Sequence, residues 1–191
     1  MRHWIWLVVP LLGAGLHPPA AWADLRRELD SGNVVAISVP AEQAHRARAL
    51  GLVDAPAARV FAVLTDVPNY VHFAPRIAEA RMLEGSGQGL YELVAKLPWP
   101  LGKTRARMRL QQGRRGAVYV ARWKMLEGTL ARYEGAVWVK PWGRNRCLVI
   151  YEMLLTPRLP VPEALLSNGL RRAVQKFVLA LRQRIVTLEH G

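Results

Sequence analysis

From residue 77 to residue 157 apolar and polar side chains alternate with a period of two, broken at intervals by turn residues. This pattern predicts a run of strands with one dry face each. The segment 103–110 is the clearest case: Lys103, Arg105, Arg107 and Arg109 fall on one side, Thr104, Ala106, Met108 and Leu110 on the other. In 90–97, Tyr91, Leu93, Ala95 and Leu97 oppose Glu92 and Lys96, and in 118–125, Tyr119, Ala121, Trp123 and Met125 oppose Arg122 and Lys124. The segment 130–140 sets Ala131, Tyr133, Gly135 and Val137 against Arg132 and Glu134. In the mostly apolar 147–155 the charge of Glu152 assigns Tyr151 and Met153 to the dry side. Strands wet on one side belong to an antiparallel sheet that is covered on one face only.

Two shorter apolar runs, 33–39 and 48–53, predict a first pair of strands. Residues 56–65 predict a short helix: Asp54 supplies an N-cap, Pro56 suits the first turn, Val60, Phe61, Val63 and Leu64 form an apolar face, and Asp66-Val67-Pro68 ends it. A further helical turn is predicted at 69–73, stopped by Pro75. Beyond the bend at Pro157, Pro160 and Pro162, the residues Leu166, Leu170, Val174, Phe177, Leu181, Ile185 and Leu188 recur every three or four positions. Arg171, Arg172, Gln175, Lys176, Arg182 and Gln183 take the opposite side, which predicts an amphipathic helix of roughly seven turns. The sheet and this helix each carry one apolar face, and no other long element remains to cover either, so they are expected to close on each other.

The first residues bear on where the chain works. Arg2 and His3 lead into an apolar run, 5–16, then His17-Pro18-Pro19 and Ala21-Trp22-Ala23, the n-region, h-region and small-x-small site of a secretory signal. The run is shorter than the ~20 residues that span a bilayer. Cleavage after Ala23 is expected, leaving 24–191 as one periplasmic or secreted domain with a charged lead-in over 24–33. Cys147 is the only cysteine, so no internal disulfide can form, and its neighbours Leu148, Val149 and Ile150 predict a packed thiol. A formal net charge of +13 attracts polyanions. Export and the lack of zinc-finger spacing argue against nucleic acid. That leaves peripheral contact with an anionic membrane, in which Trp99 and Trp142 either dip into the interface or simply pack their own turns, or a solvated arginine-rich surface.

The segment 54–77, DAPAARVFAVLTDVPNYVHFAPRI, resembles the opening of the START-like superfamily of polyketide cyclase/dehydrase and coenzyme Q-binding proteins. The matching features are a small residue before Ala-Pro, an apolar helix, Thr-Asp, a Tyr, and a Pro ahead of the next strand. Gly135, Pro141, Tyr151, Pro157, Pro162 and the terminal Leu181-Arg182-Gln183-Arg184-Ile185 follow in the family's order, so the resemblance covers about 48–188. Two departures stand out. Val137 occupies a position where relatives often carry tryptophan, with Trp138 on the other face, and Lys103-Thr104 follows Pro98-Trp99-Pro100 where many carry an acidic-arginine pair. The resemblance implies an α+β helix-grip fold, a curved antiparallel β-sheet wrapped around a long C-terminal α-helix. It also implies a cavity between sheet and helix for a lipid, isoprenoid, quinone or polyketide-like molecule.

The lining expected for such a cavity is Tyr91, Leu93, Met108, Tyr119, Trp123, Tyr133, Tyr151 and Met153 from the sheet, with Leu170, Val174, Phe177 and Leu181 from the helix. The tyrosines are able to hydrogen-bond a polar headgroup or a carbonyl. Catalysis is poorly provided for. His45, His72, His190 and Cys147 have no metal-ligand spacing, and the Gly85-Ser86-Gly87-Gln88-Gly89 turn is not a Gly-x-Ser-x-Gly elbow. His72 is a candidate general base without an evident orienting carboxylate, and Asp66 reads as a helix-ending cap. No metal, cofactor or catalytic residue is expected. Binding or transport of an apolar small molecule or lipid takes precedence because it needs only the cavity. The alternatives are a cyclase or dehydratase using pocket Tyr or His, and a membrane-facing accessory protein.

Overall fold

Alternation of the kind seen in 103–110 needs a sheet to bury one side of it, and the computed structural model, which describes residues 20–41, 44–83, 89–97 and 101–190, supplies one. Helix α1 (Ala20–Asp30) leads into β1 (Val35–Val39) and β2 (His45–Val53). Helix α2 (Ala57–Thr65) and a 3-10 helix (Val67–His72) then carry the chain to the far edge. From there β3 (Ile77–Met82), β4 (Leu90–Lys96), β5 (Lys103–Arg115), β6 (Val118–Gly128), β7 (Arg132–Pro141) and β8 (Cys147–Thr156) return as a meander. The order across the sheet is β1-β2-β8-β7-β6-β5-β4-β3, antiparallel throughout. Register shifts at Ile77/Glu79 and Arg107/Met108 sharpen its curl. The 28-residue helix α3 (Glu163–His190) lies in the concave side, giving the α+β helix-grip fold.

Residues Lys103 to Leu110 alternate strictly between exposed and buried. Beyond Leu110 the strand runs on to Arg115, past the predicted segment, with every one of its residues from Gln111 exposed although it stays paired with β6. A stretch with no buried face leaves no period-two signature, which is why the pattern stopped short of it.

The C-terminal half of α3 is the part that grips. Val174, Val178, Leu181 and Ile185 are buried to 1% exposure or less. Val178 packs against Gly51 of β2, where a Cβ would stand 2.8 Å from its Cγ1. The side expected to be solvated is also used: Arg182 donates through Nε to the Leu52 carbonyl and through Nη1 to the Gly32 carbonyl, both at 2.6 Å, and Gln175 donates to the Val34 carbonyl at 3.0 Å. Burial lowers the pKa of Arg182. The apolar stripe ends before Leu188, which is exposed.

One local expectation is corrected, and two other segments take definite places. Asp54 does not cap α2; Pro56 takes that place without a side-chain bond, and Asp54 pairs with Arg146 at 3.0 Å because the helix begins too late for it to reach. The lead-in over 24–33 is largely helical, in α1, and Leu29 docks beside Leu52 and Leu148. Trp142 packs against that same cluster and under Arg26, while Trp99 and residues 1–19 lie outside the described residues. Cys147 is fully buried, and burial pushes its thiol up to about 12, so it is no nucleophile at neutral pH.

The basic row on the outer face is not simply solvated. Glu92 stands within it at 5% side-chain exposure, covered by Arg81 at 2.7 Å, Arg105 at 3.5 Å and Arg107 at 3.9 Å. The hydrogen bond from Arg81 is the main reason its carboxyl lies below the ordinary glutamate value, opposed by burial and helped by the other guanidinium groups. A folded-state pKa below the unfolded one contributes stability that is full above the unfolded value and lost as pH falls through the folded value. Glu92→Gln should therefore lower Tm most near about pH 7, and the difference between the two proteins should shrink as the pH falls below the ordinary glutamate value in thermal melts. A Tm difference constant across that range would mean the carboxylate's charge is not the source.

Candidate functional site

The N-terminal half of α3 keeps touch with β2, where Ser167 and His45 lie 3.2 Å apart, but not with the strands beyond it, and the space left there is a cavity of about 510 Å³ bounded by β4 to β8, the 3-10 helix and residues 161–177. That is within the range of small-molecule sites. Its floor follows from cross-strand register. Leu110, Trp123, Gly135 and Met153 face one another across four neighbouring strands. The Trp123 ring lies flat over the next strand because residue 135 is glycine: a Cβ there would collide with the ring and with the Glu152 carbonyl. Tyr151 stacks between Trp123, at 5.2 Å and 26°, and Phe177 of α3, at 4.2 Å and 20°. Tyr70 and Phe73 flank Phe177 from the other side, at 5.7 and 6.0 Å, and the Tyr70 hydroxyl donates to the Leu64 carbonyl at 2.6 Å.

Exposure divides the wall from the rim. Leu93, Ala106, Met108, Leu130, Leu155 and Leu170 are buried, whereas Arg76, Leu165, Asn168, Gly169, Arg172 and Lys176 are exposed around the opening. Among the described ion pairs none involves Arg76, Arg172 or Lys176. Arg76 has φ +68°, the left-handed region that costs a non-glycine residue.

Of the residues expected to line a cavity, Tyr91, Leu93, Met108, Trp123, Tyr133, Tyr151, Met153, Leu170 and Phe177 lie on its wall. Tyr119, Val174 and Leu181 do not. Tyr119 sits under α2, 5.1 Å from Phe61 and with Arg114 4.9 Å above its ring, because α2 is the third element that the pattern left out of account. Val174, on the sheet-facing side of the stretch that borders the cavity, and Leu181, two turns further along α3, are both fully buried against their neighbours. Sequence reasoning missed Tyr70, Leu130, Leu155 and Leu166. The pairing of Tyr70 with Phe73 three positions on was the available signal for the first; the others carry none beyond hydrophobicity.

The wall is uncharged. None of the described lining residues is a carboxylate, a histidine, a cysteine or a serine. His72 is exposed and off the wall, and the Asp66 carboxylate accepts from the Asn69 amide at 2.5 Å. Burial pushes the Tyr133 phenol up to about 12, with Trp123 and Tyr151 pulling it back, and burial likewise raises Tyr70 and Tyr151. At neutral pH these phenols are hydrogen-bond donors, not bases. Among the described residues no group of three or more His, Cys, Asp or Glu is placed to hold a metal ion, and no helix is long and apolar enough to cross a membrane.

The two kinds of helix position are separable by substitution. Leu181→Ala should cost about 2–5 kcal/mol and leave affinity for an apolar probe unchanged. Phe177→Ala, with one side open to the cavity, should cost less than the about 3–5 kcal/mol of a closed core site and change that affinity. Melting and probe titration on the same samples check both.

Comparison with known proteins agrees with this geometry. No curated protein matches the chain. Among solved structures it is similar to a START superfamily protein of Mycobacterium smegmatis, at 14% identity and TM-score 0.62 over 81% of this chain and 98% of that one. It is similar also to a STAR-related lipid transfer protein fragment of Xanthomonas axonopodis, at 17% identity and TM-score 0.69 over 79% and 92%. Human StAR-related lipid transfer protein 5 matches at 10% identity and TM-score 0.69 over 89% and 93%. Residues 53–182 match the family model described as polyketide cyclase / dehydrase and lipid transport, and the chain belongs to that family.

Proposed function

We propose that this protein binds and carries a hydrophobic small molecule or lipid in the cavity between its sheet and α3. The observation that carries the reading is a space of about 510 Å³ walled by aliphatic and aromatic side chains, with charge confined to its rim. The family description includes lipid transport, and two similar structures are named as lipid transfer proteins, which supports a carrier. A cyclase or dehydratase needs a positioned acid–base pair, and the described wall offers neutral phenols alone for that work. We place the carrier after export, in the periplasm, on the strength of the signal pattern ending at Ala23.

The rim suits loading from an anionic membrane. Leu165 is 49% exposed at the opening, and Arg76, Arg172 and Lys176 stand around it. Each cation near an anionic surface contributes about 1 kcal/mol. Wild-type protein should cosediment with phosphatidylglycerol vesicles and not with phosphatidylcholine vesicles, and an Arg172→Glu/Lys176→Glu variant should lose this while still binding a soluble apolar probe. Cosedimentation indifferent to vesicle charge would defeat the loading surface.

The carrier itself is tested with N-phenyl-1-naphthylamine, whose fluorescence rises on apolar burial. Wild type should bind it saturably and one to one. Gly169 lies on the rim with open space where its side chain would be, so Gly169→Phe should leave Tm unchanged or raise it, since glycine inside a helix costs about 1 kcal/mol relative to alanine. The same variant should slow probe uptake several-fold. Absence of saturable binding by wild type would leave a solid domain of another role.

A further inference from the structure

The two edges of the sheet are finished differently. At β3 a register shift at Ile77/Glu79 interrupts the ladder, Glu79 and Arg81 place charge on the strand, and the 3-10 helix lies against it. Bulges, charges and covering elements of this kind keep an edge from pairing with a further strand. At the opposite edge β1 has none of them. Its sequence, Val35-Ala36-Ile37-Ser38-Val39, is uncharged, and its register with β2 is unbroken.

The backbone of β1 also has groups to spare. The Val34 carbonyl, just before the strand, accepts from the Gln175 amide of α3 at 3.0 Å, on the side away from β2. Backbone groups of alternate residues point the same way, so those of Ala36 and Ser38 face the open side as well. The two-residue turn 116–117 gives the same phase: it makes Arg115 and Val118 a hydrogen-bonded pair, and the alternation carries from β6 through β7, β8 and β2 to β1. None of the described hydrogen bonds reaches Ala36 or Ser38 from that side. On the outer face, Ile37 stands 44% exposed between Val35 and Val39.

We propose that β1 pairs with β1 of a second copy of this chain, antiparallel about a two-fold axis at Ile37, so that the two sheets join edge to edge. In that register Ala36 stands opposite the partner's Ser38 and the two exchange both backbone bonds, once on each side of the axis. Ile37 meets the partner's Ile37 as a non-hydrogen-bonded pair, the closer kind, and Val35 meets the partner's Val39. The next pair sets Val34 opposite the partner's Pro40. Proline has no N–H to donate, which suits a carbonyl already served by Gln175.

A second copy is the occupant because this strand is its own complement. Each β-branched side chain on the outer face meets another, and no charge meets a like charge. The nearest cations, Arg46 and Arg48 on β2, are held by Glu152 at 3.8 and 2.6 Å. Pairing about a two-fold uses the β1 edge of both protomers at once, and with the β3 edge closed the assembly stops at two. No residue of β1 or β2 lines the cavity, so the pairing stands independently of what the cavity carries.

Sedimentation velocity tests it. So short an interface makes a weak dimer, and wild type should pass from one chain towards two between about 1 and 100 µM. It should do so more readily at about 150 mM salt than at about 20 mM, because a formal net charge of +13 on each chain repels its copy. Ile37→Lys and Ile37→Glu each set like charges directly opposite and should each remain single chains, whereas an equal mixture of the two should dimerise again. On oxidation with oxidised glutathione, Ile37→Cys should cross-link to a dimer. Val35→Cys, which has the partner's Val39 opposite it, should not, and the buried Cys147 takes no part. Wild type that stays a single chain over the whole range, or a dimer that survives in both charged variants, overturns the pairing. If the charged variants fold poorly the two cysteine variants decide, and equal cross-linking of both, or of neither, overturns it.

Discussion

The seating of α3 decides everything else in this molecule. Its last four turns are locked down: Val178 touches the backbone at Gly51, Arg182 ties the helix to the Leu52 and Gly32 carbonyls, and Leu181 and Ile185 are closed off from solvent. A helix is stiff, so fixing one half fixes the path of the other. The sheet curls, the helix runs straight on, and the two separate towards Leu166 and Leu170. The cavity is the consequence of that divergence, and no element has to be unfolded or missing to make it. Arg182 is the unexpected member of this arrangement, since an arginine on the polar side of a helix reads as solvated; here its long stem crosses the helix edge and its guanidinium serves carbonyls at the end of β2 and at the turn after α1.

What keeps the divergence from collapsing is the stack of Trp123, Tyr151 and Phe177. Rings of this size cannot interdigitate with one another as leucines do, and they stand on small neighbours. Gly135 lies under Trp123, and Ala49, Val137 and Ala121 lie in the row of Tyr151. Large residues facing small ones across strands fill the sheet surface evenly at the closed end. At the open end the wall residues are medium-sized, Leu93, Ala106, Met108 and Leu155, and together they do not reach α3. The boundary between core and cavity is therefore written in side-chain size and in helix position, with Phe177 on one side of it and Leu181, one turn later, on the other.

This explains how much the sequence disclosed. Which face of each strand is dry could be read from Lys103 to Leu110 alone, because water on the other side demands the alternation. The fold followed from the order of elements together with the resemblance of 54–77 to a known opening. The cavity's membership was harder. Tyr91, Trp123 and Tyr151 share a dry face with Tyr119, and no pattern tells which of these meet a helix and which meet a void, since both surroundings are apolar. Tyr119 was misplaced because α2 covers it, and Val174 and Leu181 because a helical stripe shows direction but not distance. Tyr70 escaped notice because a 3-10 turn has no periodicity to read. Glu92 illustrates the same limit on the outer face: alternation put it in the wet row, but only the positions of Arg81, Arg105 and Arg107 reveal that it is nearly sealed.

The distribution of charge across the molecule bears on what the cavity holds. Cations and carboxylates crowd the convex face and cations alone stand at the rim, while the wall retains phenols and an indole, with Thr104 turned back onto the Ala95 carbonyl. Water inside such a space needs two to four polar partners for each molecule, and a largely aliphatic wall cannot offer them to more than a few. Apolar side chains left bare along a space of about 510 Å³ forgo packing partners on that side. Neither emptiness nor full hydration suits these residues. An apolar guest supplies those partners, so the same few side chains that hold helix and sheet apart define what belongs between them.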